Sequence, residues 1–372
     1  MKLKRLIYIL TSLLLGTVIF AGPCVSASAP VVGAQSAVLM EADSLHILMS
    51  HNGSQRLPMA STTKIMTALV AIEHTKKLDR EVKISEEAAG IEGSSIYLSA
   101  GEKLTMEQLL YALMLESAND AAAAIACEVA GSVEEFAVLM NEKAEELELT
   151  NTHFTNPHGL DNEDHYTTAE DLAKIACAAL QNETFKKIVS TYKNKIPLNG
   201  GEGTRVLVNH NRLLQSYEGA IGVKTGFTKR SGRCLVSAAQ RDGVTLVAVT
   251  LNDPDDWKDH KEMLDYGFSA YQSYTLAEEG SLTFSIPCTG GQKEYITISN
   301  KDALSVSLPK SGGTITTKLE AKPFLYAPIK KGDLIGYTIF LRDGKEIGRV
   351  AMYADMACPT EKLQKGIFHF FK

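Results

Sequence analysis

The sequence predicts an α/β (α+β) domain, in which helices cover an antiparallel sheet, followed by a small all-β sandwich. Three observations carry this. Ser61 to Asn182 is dominated by apolar runs at helical spacing, whereas Thr204 to Leu251 returns to β-type runs. From about Leu276 the texture becomes short β runs separated by glycine-rich turns.

The elements follow in chain order. Val31 to Leu48 reads as a short strand pair. Pro58 precedes Ile65, Met66, Leu69, Val70 and Ile72, the pattern of a buried helix with Ser61 in its first turn. Met106 to Glu116 and the alanine-rich Ala121 to Ala126 are two further helices with a short break between them. A β segment runs from Lys224 to Ala239. It turns at Arg241-Asp242-Gly243 and returns as Val244 to Leu251, so the two read as an antiparallel hairpin. Asp259 to Tyr274 is a closing helix. Leu282 to Ile286 and Glu294 to Ile298 are typical strands of the second part. The boundaries are a leader at 1–27, an α/β domain at 28–275, a β-rich domain at 276–358 and a tail at 359–372.

The ends and the composition bear on compartment. Lys2, Lys4 and Arg5 precede the apolar run Leu6 to Phe20, and small residues follow, the pattern of a secretory signal peptide cut after Ala27. Removing it takes three cations and moves the formal charge from −6 to −9. An acidic exported chain without a basic cluster is not a nucleic-acid binder. No Cys-x-x-Cys or His-x-x-x-His spacing points to a metal, and no cofactor motif is present. Cys127, Cys177 and Cys234 read as buried thiols, while Cys288 and Cys358 bracket the β-rich domain and could pair in an oxidising compartment. In the tail, Leu363, Ile367, Phe370 and Phe371 share one helical side, the pattern of an interfacial helix touching a membrane surface. The alternative is a strand-like end packing its phenylalanines on the β domain.

Three triplets carry the chemistry: Ser61-Thr62-Thr63-Lys64, Ser117-Ala118-Asn119 and Lys224-Thr225-Gly226. Each alone is weak, and all three in this order are strong. Ser61 and Lys64 are three apart, so their side chains meet on one helical face. A serine hydroxyl needs a neighbouring base. Lys64 serves only if neutral, and burial beside a second cation, Lys224, lowers its pKa. Ser117 is placed to relay protons, and Asn119 offers a donor and an acceptor to a substrate amide. A strand edge carrying Lys224 and Thr225 beside the serine helix makes a groove for an extended peptide.

On these residues the chain resembles the D-alanyl-D-alanine carboxypeptidases, low-molecular-mass penicillin-binding proteins of the bacterial cell wall. The likeness extends through Asn151 to Asn156, Gly159-Leu160, His165 to Ala169, Gly222-Val223, Phe227-Thr228, Gly232, Cys234 and Met263 to Phe268. It implies a penicillin-binding/β-lactamase-like catalytic domain over 28–275. It also implies removal of the terminal D-alanine from peptidoglycan stem pentapeptides, with β-lactams as covalent inhibitors, in the extracytoplasmic wall space. By this resemblance Ser61 is the acylated nucleophile, Lys64 its base and Ser117 the proton shuttle. Asn119 holds the substrate backbone, and Lys224 and Thr225, with Gly226, the terminal carboxylate end. The backbone N–H groups of Ser61 and Phe227 form the oxyanion hole. Members of the family often carry an arginine in the loop after the second long strand. Here that loop, Asn252 to Lys258, is acidic and has none, which shifts carboxylate recognition onto Lys224 and Thr225. Arg205, Arg212 and Arg230 receive no role from the sequence.

Two rival readings remain at this stage. A β-lactamase-like hydrolase shares the triplets, but the Glu-x-x-Leu-Asn loop of class A enzymes is missing from His153 to Tyr166. A non-catalytic wall-binding relative would usually have lost Ser61 or Lys64, and both are kept.

Overall fold

The computed structural model describes residues 28–198, 203–310 and 312–361, together with the backbone of Val18–Ile19. Apart from that pair, the leader read at 1–27 lies outside the described residues, as does the tail beyond Glu361. Two compact units divide between Tyr271 and Gln272.

The first unit is built on a five-stranded antiparallel sheet. Its strands are β1 (Ser36–Glu41) and β2 (Ile47–His51), then, after the helices, β5 (Ala220–Thr228), β6 (Gly232–Arg241) and β7 (Val244–Leu251), in the order β2-β1-β7-β6-β5. Every residue of β7 is buried, as expected of a central strand covered on both faces. Six helices cover one face: α1 (Lys64–His74), α2 (Met106–Leu115), α3 (Asn119–Ala130), α4 (Val133–Glu146), α5 (Ala169–Leu180) and α6 (Glu183–Ser190). Val38, Met40, Val236 and Val247 of the sheet share a core with Ile65, Leu69, Leu109 and Ile175 of these helices. The other face packs Ala37, Leu39, Leu246 and Ala248 under Met263 and Leu264 of α7 (Asp256–Ala270). Burial of each such large aliphatic side chain contributes about 1.5–3 kcal/mol. Side chains of Thr105, Ser132, Thr168 and Asn182 cap α2, α4, α5 and α6, which explains why those helices start where they do. A hairpin, β3 (Lys193–Leu198) with β4 (Gly203–Val208), stands apart from the main sheet.

Two sequence expectations are corrected. The β segment Lys224 to Ala239 is not continuous: β5 ends at Thr228 and β6 starts at Gly232. The turn between them closes by reciprocal bonds, Thr228 N–H donating to Ser231 Oγ at 3.0 Å and Ser231 N–H to Thr228 Oγ1 at 2.9 Å. The closing helix starts earlier and ends earlier than expected. Asp256 and Asp259 sit in its first turn, where the helix dipole favours them. Tyr271 to Tyr274, the expected end of that helix, instead begin a strand, β8 (Tyr271–Ala277).

The second unit is all β. β8 pairs with β11 (Leu304–Pro309). A larger sheet joins β9 (Thr283–Thr289), β10 (Tyr295–Asn300), β12 (Thr314–Ala321), β13 (Leu325–Tyr326), β14 (Leu334–Arg342) and β15 (Lys345–Ala354) in the order β12-β14-β15-β10-β9-β13. Val18–Ile19 pairs with the outer edge of β12. Both layers share one core, Ala277 and Leu308 meeting Ile286, Ile296, Phe340 and Met352. Cys288 and Cys358 are thiols whose Sγ atoms lie 3.7 Å apart. Cys177 and Cys234 are buried as expected, whereas Cys127 is only partly so. Among the described residues no helix is long and apolar enough to cross a membrane.

Candidate active site

Ser61 lies not in the first turn of α1 but in the 3₁₀ turn Ala60–Thr63 that leads into it. Side chains tie this turn together: Thr62 Oγ1 donates to Met59 O at 2.6 Å and Thr63 Oγ1 to Ala60 O at 2.8 Å. Ala60 adopts φ 47°, a left-handed conformation that costs a non-glycine residue on the order of 1 kcal/mol or more. In a 3₁₀ turn residues three apart eclipse, which holds Ser61 over Lys64. Lys64 Nζ donates to Ser61 Oγ at 2.9 Å, to Asn119 Oδ1 at 2.7 Å and to His158 O at 2.5 Å.

The second triplet occupies the break between α2 and α3. Ser117 has φ 61° and is 5% exposed, so the backbone spends conformational energy to present it there. Asn119 begins α3 with its side chain spanning the site: Oδ1 accepts from Lys64 and Nδ2 donates to Glu92 O at 2.6 Å. Asn119 N–H also donates to Ser94 O at 2.7 Å. Its neighbour Asp120 is buried and accepts from Ser95 Oγ at 2.6 Å, Leu98 N at 2.9 Å and Ile96 N at 3.3 Å. Arg205 reaches the same loop, donating to Ile96 O at 2.9 Å and to Tyr97 O at 3.2 Å while pairing with Glu102. This arginine pins a wall of the site.

The third triplet is on β5, at the edge of the sheet. Gly226 passes so close to the serine turn that an added Cβ would lie 3.1 Å from Ser61 N, Thr62 N and Met59 O. All three are backbone atoms, so only glycine lets the strand edge approach this near. Lys224 is 2% exposed and donates to Thr225 O at 3.0 Å. Burial pushes its ammonium down to about 7, with Glu116 pulling the other way. Burial also takes Lys64 well below the ordinary lysine range, and the like charge of Lys224 takes it further, against an opposing pull from Asp120. Both effects favour the neutral amine of Lys64 over its ammonium.

The stretch from His153 to Thr168 closes the back of the site. Thr155 N–H donates to His165 Nδ1 at 3.0 Å, so this ring's proton is assigned to Nε2, which faces Thr63 Oγ1 at 2.8 Å. Burial lowers His165 to about 3 and His158 to about 4, and both stay neutral. Gly159, at φ 87°, is pressed against the serine turn, where an added Cβ would sit 2.0 Å from Ala60 O.

These parts enclose a cleft of about 320 Å³ lined by Ser61, Ser117, Thr225, Gly226 and Phe227 among the residues singled out from the sequence. Lys64, Asn119 and Lys224 are buried around it. The cleft is also lined by Ser94, His210, Arg212, Arg233, Asp256 and Trp257, which the sequence reading did not single out as site residues. No group of three or more His, Cys, Asp and Glu side chains among the described residues is arranged to hold a metal.

The D-alanyl-D-alanine carboxypeptidase family profile matches residues 24–255. The chain belongs to that family. It is a serine D-Ala-D-Ala carboxypeptidase of the penicillin-binding class, and residues 271–360 match the penicillin-binding protein 5 C-terminal domain. Among similar proteins, the carboxypeptidase DacF of Bacillus subtilis (strain 168) is 35% identical over 349 residues, covering 91% of this chain and 88% of that one. The carboxypeptidase of Streptomyces sp. (strain K15) is 36% identical, covering 67% of this chain and 92% of its own. In three dimensions the enzyme is similar to penicillin-binding protein 5 of Haemophilus influenzae, with a TM-score of 0.71 and 28% identity over 90% of this chain and 99% of that one. It is also similar to the Streptomyces K15 DD-transpeptidase, with a TM-score of 0.61 and 36% identity over 65% of this chain and 100% of that one.

Proposed function

We propose that Ser61 is the nucleophile with which this enzyme removes the terminal D-alanine from peptidoglycan stem pentapeptides. The observation that carries the assignment is the 2.9 Å contact between Ser61 Oγ and the amine of a fully buried, pKa-lowered Lys64. Neutral Lys64 takes the Ser61 hydroxyl proton as Oγ attacks the carbonyl carbon of the penultimate residue. The tetrahedral oxyanion is received by the backbone N–H groups of Ser61 and Phe227. The proton passes from Lys64 by way of Ser117 to the departing amine of D-alanine. Water then attacks the Ser61 ester, giving its proton to Lys64, which passes it to Ser61 Oγ as the C–O bond breaks and the shortened peptide leaves. Asn119 donates to the substrate backbone, and Thr225 and Lys224 draw its carboxylate end along the edge of β5. A penicillin acylates the same oxygen through its lactam carbonyl, and the ring stays attached after the amide opens.

Intact-mass analysis after exposure to a penicillin is expected to show one adduct per chain, lost in Ser61→Ala together with D-alanine release. Labelling that survives in Ser61→Ala overturns the assignment.

The same reading places the enzyme outside the cytoplasm, exported by the segment at 1–27. The amphipathic pattern of the last residues supports docking on the outer face of the cytoplasmic membrane. Co-sedimentation with anionic liposomes, with and without the residues after Thr360, tests this; equal recovery in the supernatant rejects it.

A further inference from the structure

The acidic loop after β7 lacks an arginine, yet two arginines reach the cleft from elsewhere. Arg233 is on β6, where the ladder pairs it directly with Phe227 of β5. Cross-strand partners share a sheet face, and so do residues two apart, so Arg233 stands on the same face as Phe227 and Thr225. Its guanidinium is held sideways by Asp256, the first residue of α7. Nε donates to Oδ2 at 3.1 Å, and Nη2 donates to Oδ1 at 2.7 Å and to Oδ2 at 2.9 Å. The Asp256 side chain is 4% exposed and the Arg233 side chain 45%.

A guanidinium has two bidentate edges, and Asp256 occupies the one formed by Nε and Nη2. The end-on edge, with Nη1, is not taken by Asp256, and both residues line the cleft. The clamp fixes the fork before any substrate arrives, which lowers the entropy lost on binding. Arg212 also lines the cleft, but it lies on the Trp257 ring at 5.8 Å and comes from an exposed loop without an ion-pair partner among the described residues.

The geometry points to Arg233 as the residue that reads the substrate's terminal carboxylate, presenting its end-on edge beside Thr225, with Asp256 as its positioning residue. This rests on the carboxypeptidase reading and assigns a specificity determinant within it. The sequence had laid that duty on Lys224 and Thr225. Thr225 lines the cleft, while Lys224 is buried and committed to Thr225 O.

The test compares full-length wild type with Arg233→Gln, Arg233→Lys, Asp256→Asn and Arg212→Gln. Two substrates are used, an acyl peptide ending in D-Ala-D-Ala and the same peptide with its carboxylate amidated. Arg233→Gln is expected to raise KM for the acid roughly 10- to 100-fold, the range of a hydrogen-bonded charged contact, with kcat little changed. Its turnover of the amide should match wild type, so that discrimination between the two substrates collapses. Arg233→Lys should restore part of the preference, because it keeps the charge and loses the fork. Asp256→Asn should shift the acid KM in the same direction by less. A loss of folding would lower kcat on both substrates alike, which separates a structural role from a recognising one. Unchanged discrimination in Arg233→Gln overturns the proposal, as does its loss only in Arg212→Gln. Should wild type release no D-alanine, the reading beneath it fails first. If wild type is active and Ser61-dependent, only the Arg233 assignment is at stake.

Discussion

Lys64 and Lys224 are two amines taken out of water, and burial lowers both, with the like charge of Lys224 lowering Lys64 further. In the proposed mechanism acylation needs Lys64 neutral, so its rate should fall as the pH drops and Lys64 regains the proton. Lys224, brought down to about 7, should lose its charge at the alkaline side. A bell-shaped profile of penicillin acylation, with its alkaline limb near 7, is the expected result. A rate that rises steadily to pH 10, as for an ordinary lysine (pKa about 10.4), would contradict the buried-pair account. The identities of these residues were legible in the sequence because the three triplets have fixed spacing. Arg233 was not. It becomes visible only once the chain is known to turn at Ser231, because that turn brings residue 233 opposite residue 227. A β segment read as continuous hides such a pairing.

At the scale of elements, the site is the meeting of a turn, a helix start and a strand edge, each held by bonds the triplets do not mention. Asp120 is the clearest case. It follows Asn119 directly and holds the loop Ser95 to Leu98 through three donors. Asp120→Ala leaves those buried donors unpaired, for about 1–3 kcal/mol of destabilisation each at most. The expected outcome is a lower urea midpoint together with faster amide exchange at Ile96 and Leu98. Slower penicillin acylation should accompany it, since Asn119 N–H bonds to the same loop. Exchange that stays at the wild-type rate would show that Asp120 does not hold the loop. Helices α1, α2 and α3 were readable from apolar spacing, and β7 from its unbroken apolar run. The helix end at Ala270 was not, because Tyr271 to Ala277 carries residues that suit either state, and packing in the second unit decides between them.

Across the whole molecule, the change of texture near Leu276 marked the passage from the helical unit to the β unit, and the structure divides at Tyr271 and Gln272. The order of strands in the second unit could not be read, since ladders between distant segments leave no local pattern in the sequence. The same holds for the nearness of Cys288, at the end of β9, to Cys358, beyond β15. Those two thiols, 70 positions apart and 3.7 Å from contact to contact, make the β unit a fuse set by its surroundings. In a reducing medium it holds by packing alone. An oxidant that removes one hydrogen from each sulfur would tie a loop of that length shut, and the unfolded chain would lose freedom worth on the order of 4 kcal/mol. Mild oxidation should therefore consume two thiols and raise the melting temperature of the β unit. Cys358→Ser should show neither change. The durability of the β unit would then report which side of the membrane the protein had reached.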